Sequence, residues 1–91
     1  MARRIDTTHR SVIDALRHAG WYVLDLSQLG RGAPDAICAR AGQVRLVEIK
    51  DGAKPPSKQR LTPDETKVHA GFLAAGVSVM IVRSAAEAMA L

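Results

Sequence analysis

The chain has little with which to build a large core. Among its 91 residues only Trp21, Tyr22 and Phe72 are aromatic, and fifteen of its 43 apolar residues are alanine. A domain of this length buries only roughly 60–65% of its unfolded surface. A chain so short of bulky side chains gains by burying more surface against a second copy, so a homo-oligomer is expected. There is one cysteine, Cys38, which excludes an intramolecular disulfide. With no secretory signal pattern at the start, that favours a reducing, intracellular setting. Long apolar runs are also missing. The best candidate, from Ala70 to Val82, is interrupted by Gly71, Gly76 and Ser78 and falls short of the about 20 residues a membrane span needs. The expectation is a soluble protein with no membrane partner, organised as one domain over residues 1–91, since no repeat, low-complexity tract or linker divides it.

What the chain does have is positive charge. Thirteen Lys and Arg against nine Asp and Glu leave a net charge of +4, a balance that favours polyanionic partners. Along the sequence, Asp6, Thr7 and Thr8 offer capping oxygens before Val12, Ile13 and Leu16, predicting a first helix over about 8–19 that Gly20 stops. A strand over 21–27 and the breaker Gly30-Arg31-Gly32-Ala33-Pro34 follow. Two apolar runs, 35–40 and 43–50, flank Ala41-Gly42 and read as a hairpin with a two- or four-residue loop. Residues 51–61 form a basic loop. Thr62, Pro63 and Glu65 have the spacing of a capping box opening a second helix to about Ala75, with Val68, Phe72 and Ala75 as its buried stripe. Residues 77–82 read as a strand buried on both faces, and 84–91 as a short amphipathic helix with Glu87 outward. The predicted fold is α/β, with element order α-β-β-β-α-β and a mixed four-stranded sheet whose last strand runs parallel to the third.

The hairpin supplies the chemistry. With its turn centred on Ala41 and Gly42, facing residues carry numbers that sum to 83, so Asp35 stands opposite Glu48. Directly opposed residues share a face with Cβ atoms about 4.5–5.5 Å apart. Ile37 with Leu46, and Ala39 with Val44, form an apolar floor behind the acids, and Lys50 points to the same face. Two carboxylates so placed need a raised pKa on one of them or a bound cation. A surface link through Lys50 is the simpler alternative, contributing about 0–1 kcal/mol. Mg²⁺ takes oxygen ligands, including one or two carboxylates, and keeps positions for water and phosphate oxygens. Two acids and a lysine on one face therefore suit phosphodiester hydrolysis.

Gly32-Ala33-Pro34-Asp35 followed by Val47-Glu48-Ile49-Lys50 resembles the bipartite signature of the PD-(D/E)XK nucleases, restriction-endonuclease-like in fold, and more narrowly the virus-type replication-repair nuclease family (VRR-NUC). The resemblance extends from the helix near Asp6 to Arg83-Ser84. It implies a DNA endonuclease of a bacterial cell or phage-infected host, cytoplasmic, with no small-molecule cofactor. A homodimer acting on branched DNA such as four-way junctions is the implied form. Asp35, Glu48 and the main-chain carbonyl of Ile49 would hold Mg²⁺ or Mn²⁺, and Lys50 would serve the attacking water. An acid on the first helix, Asp6 or Asp14, could support the metal, although Asp6 also reads as an N-cap and Asp14 as a solvated helix residue.

In one respect the chain departs from the family. Similar members commonly carry glutamine in Leu-Thr-Pro-x-Gln, where this chain has Glu65. The capping box accounts for Glu65 without a functional role, and Gln59, in the loop before it, is the other candidate for the missing amide. Arg31, Lys54, Lys58 and Arg60 are candidate contacts to the DNA backbone, with Arg3 and Arg4 on the N-terminal arm; solubility alone would also explain them. His9, His18 and His69 lack metal-ligand spacing and read as surface residues, and Cys38 as a small apolar strand residue. A non-catalytic basic module retaining the nuclease fold, or a restriction-type or exonucleolytic enzyme using the same residues, are the alternatives.

Overall fold

The computed structural model describes residues 7–91. Asp6, Arg3 and Arg4 lie outside the described residues. The elements follow in the order α1 (Thr7–His18), β1 (Tyr22–Asp25), β2 (Ala36–Arg40), β3 (Gln43–Ile49), α2 (Pro63–Ala74), β4 (Val79–Val82) and α3 (Ala85–Met89), with a single 3₁₀ turn at Pro56–Lys58. The sheet order is β1-β2-β3-β4. The first two pairings are antiparallel and the last, β3 with β4, is parallel. This is the mixed sheet that the element order predicts.

Alternation along the strands assigns the two faces. Val23, Ala36, Cys38, Val47, Ile49 and Val82 share one face and are all buried, packed with Val12, Ile13 and Leu16 of α1, Trp21, and Ala88 of α3. Tyr22, Leu24, Ile37, Ala39, Val44, Leu46 and Glu48 therefore belong to the other face. The β2–β3 loop is the two-residue one, pairing Arg40 with Gln43. Both turn residues have positive φ, +51° at Ala41 and +79° at Gly42, as the turn that matches strand twist requires. Ala41 accepts a conformation that glycine would take more cheaply.

Several expectations are corrected. The first strand is shorter than 21–27, because Trp21 turns into the core and Asp25 ends the strand by accepting from both the N–H and the hydroxyl of Ser27. The last strand is not buried on both faces. As an edge strand it leaves Val79, Met80 and Ile81 half-buried, and only Val82 is sealed. The expected stripe of α2 is not a core stripe either. No residue of α2 is buried, Val68 being intermediate, Ala75 exposed and Phe72 37% exposed. Gly32, which the sequence shows only as part of a breaker, has a packing role. At φ +81° a Cβ there would lie 2.5 Å from the main-chain carbon of Asp64, so its missing side chain lets the 30–34 loop seat directly on the start of α2.

Candidate functional site

The observed register, Ala36 with Val47 and Ile37 with Leu46, carries one step further to Asp35 opposite Glu48 at the mouth of the hairpin. Asp35 does not simply face solvent. Its Oδ2 accepts the N–H of Ile49 at 2.7 Å, which fixes the carboxylate beside Glu48. Glu48 is the one buried charged residue among those described, 1% exposed. Its Oε1 meets Nε2 of His69, on α2, at 3.1 Å. Burial holds the His69 ring below the usual imidazole range, with Glu65 opposing that shift and Lys50 adding to it. A proton on Nε2 would let the ring donate to Glu48.

Lys50 is placed by the same helix. Its Nζ donates to Oε1 of Glu65 at 2.7 Å. The same oxygen accepts the N–H of Thr62 at 2.9 Å, while Thr62 Oγ1 accepts the N–H of Glu65 at 3.2 Å. The capping box is real, and its glutamate has a second duty as the partner of Lys50. Burial would raise the Glu65 carboxyl, but the Lys50 ammonium and the Thr62 N–H outweigh it and hold the group below its ordinary value. Glu48 behaves oppositely. Burial, then the adjoining Asp35 carboxyl, push it up to about 9, with Glu65 adding to the rise and Lys50 opposing it.

Strand geometry explains how a third oxygen becomes free. The N–H of Lys50 donates to Val82 in β4, so Ile49 turns its own N–H and C=O toward β2. In the extended register the residue opposite Ile49 is Pro34, which is buried and has no N–H to give. The Ile49 N–H is taken instead by the Asp35 side chain, and its carbonyl has no strand donor. Among the described residues no group of three or more His, Cys, Asp or Glu side chains could hold a metal ion. The donor set is two carboxylates and a main-chain carbonyl, all hard oxygens, and it fits a cation that retains much of its own water. It does not fit zinc, which prefers a complete nitrogen and sulfur shell.

The structure brings Asp35, Glu48, Ile49, Lys50 and Glu65 together, and adds His69, which spacing motifs could not find because its partner lies 21 residues away. Arg31, Lys54, Lys58 and Arg60 are exposed on the two loops flanking this end of the sheet. Gln59 has other bonds: its amide donates to the carbonyls of Lys54, at 2.7 Å, and Gly52, and its oxygen accepts from Arg83 Nε at 3.1 Å. It braces the basic loop and makes no bond to Lys50. Asp14 is exposed on α1, a helix that packs on the opposite face of the sheet. His9 bonds Asp25 at 2.9 Å, and Cys38 is buried in the core.

No family model matches the chain, and no curated protein matches it. A solved structure described as a VRR_NUC domain is similar to it, with a TM-score of 0.66 and 27% sequence identity over 89% of this chain and 85% of that one. That similarity supports a VRR-NUC domain. The similarity covers 89% of the chain, and the mixed four-stranded sheet with its flanking helices is consistent with a VRR-NUC nuclease fold, which supports a nuclease-family domain. Among the described residues no helix is long and apolar enough to cross a membrane.

Proposed function

We propose that this chain is a VRR-NUC domain acting as a divalent-metal-dependent DNA endonuclease, with Asp35, Glu48 and the Ile49 carbonyl holding Mg²⁺ or Mn²⁺. The observation that carries the reading is a buried glutamate beside a second carboxyl, with a lysine on the same face held by a charged partner. When bound, the ion would polarise the scissile phosphate and lower the pKa of a coordinated water. Lys50 would donate to the attacking water or to the phosphoryl oxygens on which negative charge develops, and Glu65 sets where its ammonium points. Arg31, Lys54, Lys58 and Arg60 meet backbone phosphates, which gives affinity without sequence readout. Because phosphate contacts carry no sequence information, selection by DNA shape, as at branched or four-way junctions, is the substrate class we favour.

A homodimer is part of the same reading. Tyr22, Leu24 and Val44 are 78%, 53% and 58% exposed on the sheet face that carries Glu48. This uncharged apolar area, in a chain of net charge +4, is where two copies can approach without opposing like charges. Such a dimer would act in the cytoplasm of a bacterial or phage-infected cell.

The test is cleavage of linear, flapped and four-way DNA with Mg²⁺, with Mn²⁺ and with EDTA. Internal cuts that need metal and vanish in Glu48→Ala and Lys50→Ala are expected. DNA binding with no cleavage under any condition would instead mark a non-catalytic module, and release of products from ends an exonuclease. Sedimentation of the wild type and of Leu24→Glu reads the oligomer, with the variant expected to shift toward monomer.

A further inference from the structure

We propose that His69 is a positioning residue for the metal site: from α2 it fixes the carboxylate of Glu48 in the orientation that coordinates the ion. The inference rests on the metal-dependent reading above and extends it to a residue outside the hairpin. Glu48 is 1% exposed and His69 Nε2 lies 3.1 Å from its Oε1. A glutamate has three rotatable side-chain bonds, the last of which turns the carboxyl group itself, so alternation along β3 decides which face the side chain takes but not where its oxygens aim. Asp35 is anchored by a main-chain N–H of its own hairpin. Among the described residues no main-chain N–H reaches the Glu48 carboxyl, whose neighbour within the hairpin is the Asp35 side chain, and the imidazole on α2 takes the anchoring part.

The imidazole also links two otherwise separate layers. With no residue of α2 buried, the helix is located over the sheet largely by polar ties at the site, His69 to Glu48 and Glu65 to Lys50. The two α2 residues are four apart, on one side of the helix. One helix therefore orients both a metal-binding carboxylate and the lysine. Removing the imidazole frees Glu48 to rotate and loosens the helix that also holds Lys50 in place.

The experiment is Mn²⁺ titration of the full chain by calorimetry, comparing wild type, His69→Ala and His69→Gln at a temperature where circular dichroism shows all three folded. The expected result is a 10–100-fold weaker Mn²⁺ affinity in His69→Ala, the usual size for loss of a group that orients a ligand. His69→Gln, which still offers an N–H at that reach, should recover a substantial part of it. A purely structural role would change melting temperature and leave the affinity of the folded protein alone. Wild type and His69→Ala agreeing within twofold would overturn the inference while leaving the metal site standing. A wild type that binds no Mn²⁺ would overturn the metal site, and this inference with it.

Discussion

The buried Glu48 predicts a protein that is less stable than it need be. Its carboxyl is raised to about 9 by burial and by Asp35, against the roughly 4.3 of a glutamate in the unfolded chain. Between those values the folded protein keeps a proton that the unfolded chain has released, so stability falls as pH rises through this window. At about 1.36 kcal/mol per pH unit the ceiling at pH 7.5 is about 4 kcal/mol. Relaxation around a buried carboxyl beside a second ionisable group reduces this to about 1–3 kcal/mol. Glutamine in place of Glu48 cannot ionise, yet it can still accept from His69 and donate to Asp35. Glu48→Gln should thus raise the melting temperature at pH 7.5 in EDTA by roughly 4–8 °C per kcal/mol recovered, and the gain should close as pH falls to about 5. Thermal melts followed by circular dichroism at pH 5, 6.5 and 8 measure this directly. The same variant is expected to lose Mn²⁺ binding and DNA cleavage. A Glu48→Gln protein that melts no higher than wild type at pH 8, or whose advantage is the same at every pH, would refute the reasoning.

Other expectations follow from single positions. Ala41→Gly relieves a non-glycine residue at φ +51° and should stabilise the hairpin by about 0.5–1 kcal/mol, read as a higher denaturation midpoint with cleavage unchanged. Gly32→Ala places a methyl group 2.5 Å from the Asp64 backbone; displacing α2 and straining φ should cost about 1–3 kcal/mol and slow cleavage at least tenfold, measured on the folded variant. At the acid end, burial raises the Asp25 carboxyl, but His9 and Ser27 outweigh it and bring it down to about 2. The stabilisation it gives is present above pH ~4 and lost as pH falls through ~2. Asp25 is 39% exposed, so the contribution is under about 1 kcal/mol, and Asp25→Asn should flatten the acid limb of the melting curve by no more than that.

Much of the site was legible because a hairpin reduces three dimensions to counting. Once Ala41-Gly42 is taken as the turn, the period of two places Asp35, Glu48 and Lys50 on one face. The capping-box pattern likewise located the start of α2, since its two reciprocal bonds lie within four residues. Legibility ended where contacts crossed between elements. The second duty of Glu65 depends on Lys50, 15 residues earlier, and nothing in the local pattern separates a glutamate that caps from one that caps and pairs.

The second helix shows why its inner face could not be read from apolar spacing. The rule that a surface helix turns its apolar stripe inward assumes that what lies beneath is core. Beneath α2 lies a carboxylate and a lysine, so the side that meets the sheet is set by Glu65 and His69, with Val68 half-buried between them. The helix then buries no residue, and Phe72 and Leu73 stay 37% and 63% exposed. The displaced apolar residues and the overlooked histidine have one cause: a helix used as the wall of a polar site cannot also satisfy its apolar residues beneath itself. Among the described residues nothing buries Phe72 and Leu73, and without a partner over them they remain a stability cost carried by the site.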